Sequence, residues 1–147
     1  MMKTLWLVFS CCSVVALGNA QKKNIPPSVT NAFSERYPHA TNVEWTDKVP
    51  YYQASFVLNG ASISANFSSE GEWEYSERSV NYEALPQEVK DALKKCKYSD
   101  WQKGSISEVQ ELGKPLQYRI NVQKPGQRKN VYFDANGKIL KETPALY

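Results

Sequence analysis

The sequence predicts an α+β domain: two tandem helix-plus-four-strand repeats forming one antiparallel sheet, with both helices packed on one face. Three observations predict it. The chain repeats itself, each repeat opens on a proline-led amphipathic segment, and each continues into alternating runs separated by turn residues. The repeat is visible as Ile25-Pro26-x-x-Val29-x-x-Ala32-Phe33 against Leu85-Pro86-x-x-Val89-x-x-Ala92-Leu93, at an offset of 60. A second set matches at 66: Val43 with Val109, Tyr52 with Tyr118, Phe56 with Val122, Phe67 with Phe133 and Gly71 with Gly137. The change of offset implies six extra residues in the second copy, expected in the Tyr98–Ser105 stretch. The repeats span 25–80 and 85–142 of a single domain covering 21–147.

Before the first repeat, residues 1–20 have the build of a signal peptide. Lys3 supplies the positive start, Leu5 to Leu17 the apolar run, and Gly18-Asn19-Ala20 the small residues that direct cleavage after Ala20. The run is shorter than the roughly 20 residues that a membrane span needs, so no stable membrane insertion follows removal of the signal. Lipid anchoring at Cys11 or Cys12 is the less favoured alternative, because the apolar run before them is short. Of the 3 Cys, only Cys96 remains after cleavage, and a mature monomer has no internal disulfide.

Pro26 and Pro86 suit the start of a helix, where the first N–H groups have no partner in any case. Val29, Ala32, Phe33, Arg36 and Tyr37 follow helical spacing, as do Val89, Ala92, Leu93 and Cys96, and Pro38 ends the first helix. Tyr52, Ala54, Phe56 and Leu58 alternate with more polar neighbours, Asn59-Gly60 turns the chain, and Ile63, Ala65 and Phe67 return it. That pattern is a strong hairpin signal. Leu116, Tyr118, Ile120 and Val122, a Lys124–Gln127 turn, then Val131 and Phe133 repeat it. Gly71 and Gly137 each lead into a further strand, and shorter strands around Val43–Trp45 and Ser107–Leu112 precede the hairpins. The apolar alternates receive the helices. The opposite face keeps Glu44, Tyr51, Gln53, Ser55, Ser62, Ser64, Asn66, Gln117, Arg119, Asn121, Asn130 and Tyr132.

These residues carry a resemblance. Ala32-Phe33-x-x-x-Tyr37-Pro38-x-Ala40-x-x-Val43-x-Trp45, then Tyr52-x-Ala54-x-Phe56, Gly71-x-Trp73 and Leu85-Pro86, resemble the PepSY-like, beta-lactamase-inhibitor-like family of secreted bacterial proteins. The resemblance implies a BLIP-like two-layer sandwich, export to the periplasm or cell surface, and no established catalytic residues. In the second copy Lys97-Tyr98-Ser99 replaces Tyr37-Pro38-His39, and Glu111 stands where the first has Trp45.

Composition narrows function from another side. With 18 basic and 15 acidic residues the formal charge is +3, too balanced for a chain devoted to nucleic acid. Cys96 and His39 form the sole Cys–His combination after the signal, and each has a structural explanation: one on an apolar stripe, the other in a turn. Glu70, Glu72, Glu74 and Glu77 surround Trp73 and Tyr75 and read as a solvated strand face. Asp134-Ala135-Asn136-Gly137 reads as a turn, since a calcium loop would add a downstream Glu and flanking helices. The expectation is a non-enzymatic protein with no cofactor and no metal. Tyr51, Gln53, Arg119 and Tyr132, aromatic and polar residues spread among Ser and Asn, are the candidate binding residues for an envelope protein or peptide. A periplasmic carrier or sensor of a small ligand or peptide, held between helices and sheet, is the second reading. It requires a cavity, which the bulky aromatic content disfavours.

Overall fold

The computed structural model describes residues 24–145, so the signal segment lies outside the described residues. The first repeat comprises helix α1 (Pro27–Arg36) and strands β1 (Thr41–Asp47), β2 (Tyr51–Leu58), β3 (Ala61–Ser68) and β4 (Trp73–Ser79). A 3-10 turn at Tyr82–Ala84 leads to helix α2 (Gln87–Lys95), β5 (Gln102–Glu111), β6 (Gln117–Lys124), β7 (Gln127–Phe133) and β8 (Ile139–Pro144). All eight strands join one antiparallel sheet in chain order, β1 to β8.

Duplication extends to local geometry. Pro26 and Pro86 precede their helices with nearly identical dihedrals, φ/ψ of -56/142° and -54/148°. Ser68 Oγ accepts the N–H groups of Glu70 and Glu72, and Asp134 Oδ1 accepts those of Asn136 and Lys138, so two different side chains build the same turn. Each turn ends in a glycine at positive φ, Gly71 at 93° and Gly137 at 80°. A Cβ on Gly71 would stand 2.5 Å from the Ser28 carbonyl oxygen, and one on Gly137 2.4 Å from that of Glu88. Each turn is therefore pressed against the first turns of its own helix, at a spacing that leaves no room for a side chain.

The inner face of the sheet carries two separate cores. Val29 and Phe33 of α1 pack with Ala54, Phe56, Ala65 and Phe67, and Val89 and Leu93 of α2 with Ile120, Val122, Val131 and Phe133. Between them the inner face turns polar along the β4–β5 seam. Ser76 stands opposite Gln110 and Arg78 opposite Glu108, with Arg78 donating to Glu108 from Nε at 2.9 Å and Nη2 at 2.5 Å. One sheet thus joins two hydrophobic units.

The register corrects the expected match of Val43 with Val109. Trp45 stands opposite Ala54 and Ile106 opposite Ile120, so β1 and β5 correspond at an offset of 61. The step to 66 falls after Ile106, in the second half of β5 and its turn, rather than in Tyr98–Ser105. Val43 is exposed beside a bulge, whereas Val109 is fully buried on the opposite face from the helices. An irregularity between Thr41 and Glu44, and another between Lys103 and Ile106, displaces the alternation in both copies.

Candidate functional site

Among the described residues no helix packs on the outer face, since the buried residues of α1 and α2 belong to the two inner cores. Register assembles its rows. Gln53 lies opposite Asn66, which lies opposite Tyr75 and then Glu111. In the next row Glu77, Val109 and Gln117 are neighbours, and beyond it run Ser79, Ser107, Arg119, Tyr132 and Lys141. The centre of this face is closed to solvent: Val109 is 0%, Ser107 2% and Gln117 4% exposed, and Val109 belongs to neither inner core. Tyr75, Glu77, Arg119 and Tyr132 stand around it on the neighbouring strands.

Glu77 is the hub of this group. Its carboxylate accepts the Tyr75 hydroxyl at 2.6 Å and an Arg119 guanidinium N–H. The Arg119 and Glu77 side chains are 23% and 16% exposed, so the pair is largely withdrawn from water. Arg119 Nε is buried with no hydrogen-bond partner among the described residues. Burial, followed by the Glu77 carboxylate, pushes the Tyr75 phenol well above its ordinary value. Beside it Lys141 lies over the Tyr132 ring, 4.3 Å from its centroid, and reaches Glu111 at 3.2 Å. Lys114 also pairs with Glu111.

Arg119 and Tyr132 are therefore brought together, directly opposite in register. Gln53 donates Nε2 to Asn66 Oδ1 at 3.1 Å, which connects it to the row of Tyr75. Tyr51 shares the face but pairs with Ser68 at the start of β2, apart from this cluster. Sequence reasoning missed Tyr75, Glu77, Val109, Glu111 and Lys141. The period-2 spacing of Tyr75 and Glu77 was the available signal. The expected solvated acidic strand face is corrected at Glu77, which points into the ion-paired centre; Glu74 on the strand and Glu70 and Glu72 in the turn are exposed as expected. Alongside this cluster the first repeat leaves a shallow cavity of about 300 Å³ on the same face, lined by Glu44, Ser55, Ser62, Ser64, Glu77 and Ser79.

Among the described residues no group of three His, Cys, Asp or Glu side chains gathers to hold a metal. The Cys96 thiol donates to the Leu93 carbonyl at 3.3 Å and packs beside the second core, whereas His39 lies exposed between α1 and β1.

Two carboxylates, Glu111 on the outer face and Glu142 on the inner one, make stability depend on pH. Lys114, then Lys141, hold the Glu111 carboxyl below its ordinary 4.5, and the Tyr98 hydroxyl with Lys97 does the same for Glu142. A folded-state pKa below the unfolded one means stability that is fully present above about 4.5 and lost as pH falls through the folded values. Urea unfolding between pH 6 and pH 3 is expected to show this decline, with a shallower slope in a Glu111→Gln/Glu142→Gln protein. An unchanged slope in that variant would refute the assignment.

A family profile described as "Putative beta-lactamase-inhibitor-like, PepSY-like" matches residues 50–141. The chain belongs to this family. Solved structures agree with the PepSY-like fold. A BLIP-like protein from Bacteroides fragilis is 25% identical, with a TM-score of 0.76, covering 83% of this chain and 89% of that one. A "putative periplasmic" protein from Bacteroides eggerthii is 26% identical, with a TM-score of 0.75 and coverage of 81% and 88%. A DUF2874 family protein from Bacteroides ovatus, 24% identical, shares the fold at a TM-score of 0.76, covering 81% and 86%. No curated protein matches the chain. Among the described residues no helix is long and apolar enough to cross a membrane.

Proposed function

We propose that this PepSY-like chain is an exported, non-catalytic envelope protein that binds a protein or peptide partner through the outer face of its sheet. The observation that carries the reading is the Tyr75–Glu77–Arg119–Tyr132 centre, in which aromatic rings and a withdrawn ion pair sit on the face opposite α1 and α2. Preordered aromatic and Arg side chains lose little conformational freedom on contact, which is why such residues dominate binding energies. The serine-lined hollow beside them offers room for a partner's side chains. Export fits the signal-like first 20 residues and the periplasmic description of one relative. The BLIP-like relative supports protein binding as the mode, with inhibition of a bound enzyme as one form of it.

A pull-down from envelope extract tests the reading. A folded Tyr51→Ala/Arg119→Ala/Tyr132→Ala protein is expected to lose about 100-fold in partner affinity, since the central anchors Arg119 and Tyr132 contribute about 2 kcal/mol each when truncated and part of that is shared. Equal recovery by both proteins removes the outer face from consideration.

A further inference from the structure

The junction between the repeats holds a cleft of about 680 Å³, on the other side of the sheet from the proposed partner surface. That volume lies within the roughly 300–1,000 Å³ of small-molecule sites. One wall is the crossover after β4, with Val80 and Tyr82, and the other is formed by Leu93 of α2 and Ile106 of β5. The crossover is pinned to β5 by the Val80 N–H, which donates to the Ile106 carbonyl at 3.0 Å. Lys94 and Lys103 also line the cleft, and among the described residues no acidic side chain does. Lys103 donates to the Ser99 carbonyl, a neutral acceptor, and Lys94 makes no ion pair among the described residues. Most of the bulky aromatics that argued against a cavity are gathered in the two cores, and the crossover after β4 leaves this space beside the second of them.

We propose that the cleft binds a free anionic amphiphile, a monomeric long-chain carboxylate whose apolar body lies against Val80, Tyr82, Leu93 and Ile106 while its head meets Lys94 and Lys103. The pairing of apolar walls with two uncompensated cations selects that chemistry. A neutral chain gains nothing from the ammonium groups, and a cationic one is repelled by them. The attraction weakens with added salt, because the lysines lie at the solvent boundary.

Calorimetric titration with dodecanoate below its micelle concentration is the test, with dodecanol and dodecyltrimethylammonium as controls. Saturable 1:1 binding of dodecanoate is expected, at least tenfold tighter than either control. A Lys94→Glu/Lys103→Glu protein is expected to lose at least tenfold of that affinity. Ser105→Trp, which places an indole in the cleft from an exposed strand position, is expected to abolish binding while the thermal transition is retained. Absence of saturable binding, equal binding of the cationic chain, or full affinity in both variants overturns the proposal. So does sedimentation with anionic phosphatidylglycerol vesicles without binding of monomeric dodecanoate. The outer-face triple variant retains dodecanoate binding, so failure here and failure of the partner reading are separable.

Discussion

A Gly137→Ala protein is expected to lose about 3 kcal/mol of stability or more, a large share of what a domain of this size possesses. Two penalties act together. The backbone at Gly137 has φ of 80°, a left-handed conformation that costs a residue with a Cβ about 1–2 kcal/mol. The new methyl would also lie 2.4 Å from the Glu88 carbonyl oxygen and 2.9 Å from the Ala92 Cβ, so either the turn or α2 has to move. Overpacking of this kind costs about 1–3 kcal/mol more. Gly126→Ala separates the two terms. Gly126 has a similar φ of 74° and nothing within 4 Å of a built Cβ, so only the backbone penalty applies. Urea denaturation of both variants should place Gly137→Ala well below Gly126→Ala, and Gly71→Ala beside Gly137→Ala. Equal losses at Gly126 and Gly137 would show that helix and turn are not in rigid contact.

Phe33→Ala is expected to have an effect as large, about 3–5 kcal/mol, by opening a cavity in the first core. The Phe33 ring meets Phe56 edge-on at 5.0 Å, Trp45 at 5.2 Å and Phe67 at 6.1 Å, and Tyr37 is tilted against it at 5.5 Å. Removing it strips four aromatic neighbours of their common partner, which near-UV circular dichroism will register as a loss of signal. Leu93→Ala makes the equivalent vacancy under α2. Phe33 and Leu93 belong to clusters that share no residue, so the two losses should add within about 0.5 kcal/mol. A coupling energy above about 1 kcal/mol in the double-mutant cycle would mean that the polar seam transmits strain between the cores.

Much of this architecture was legible because each local signal had one physical meaning. Asn59-Gly60 could only be a tight turn between alternating runs, and Gly71 and Gly137 announced turns that a Cβ would block. The alternation in β2, β3, β6 and β7 by itself places Arg119 and Tyr132 on the face opposite the helices. What escaped was the pairing of β1 and β5. Asn42 takes a positive φ of 53°, and the irregularity around it breaks the period on which a register must be read. Val109 then resembled a counterpart of Val43, although the chain turns it to the outer face. The role of Glu77 was hidden for a different reason. An acid among other acids on a strand looks solvated until a cation from a distant segment, here Arg119 across 42 positions, is folded against it.

Strand order has a kinetic consequence. Every strand hydrogen-bonds only to those immediately before and after it in the chain, and just one of the seven pairings, β4 with β5, spans an intervening helix. Closing short loops costs little entropy, so a meander of this kind has a small search to make and a correspondingly fast route to its native topology. A chain emerging end-first from a narrow pore could complete its first αβ unit while the second was still threading through.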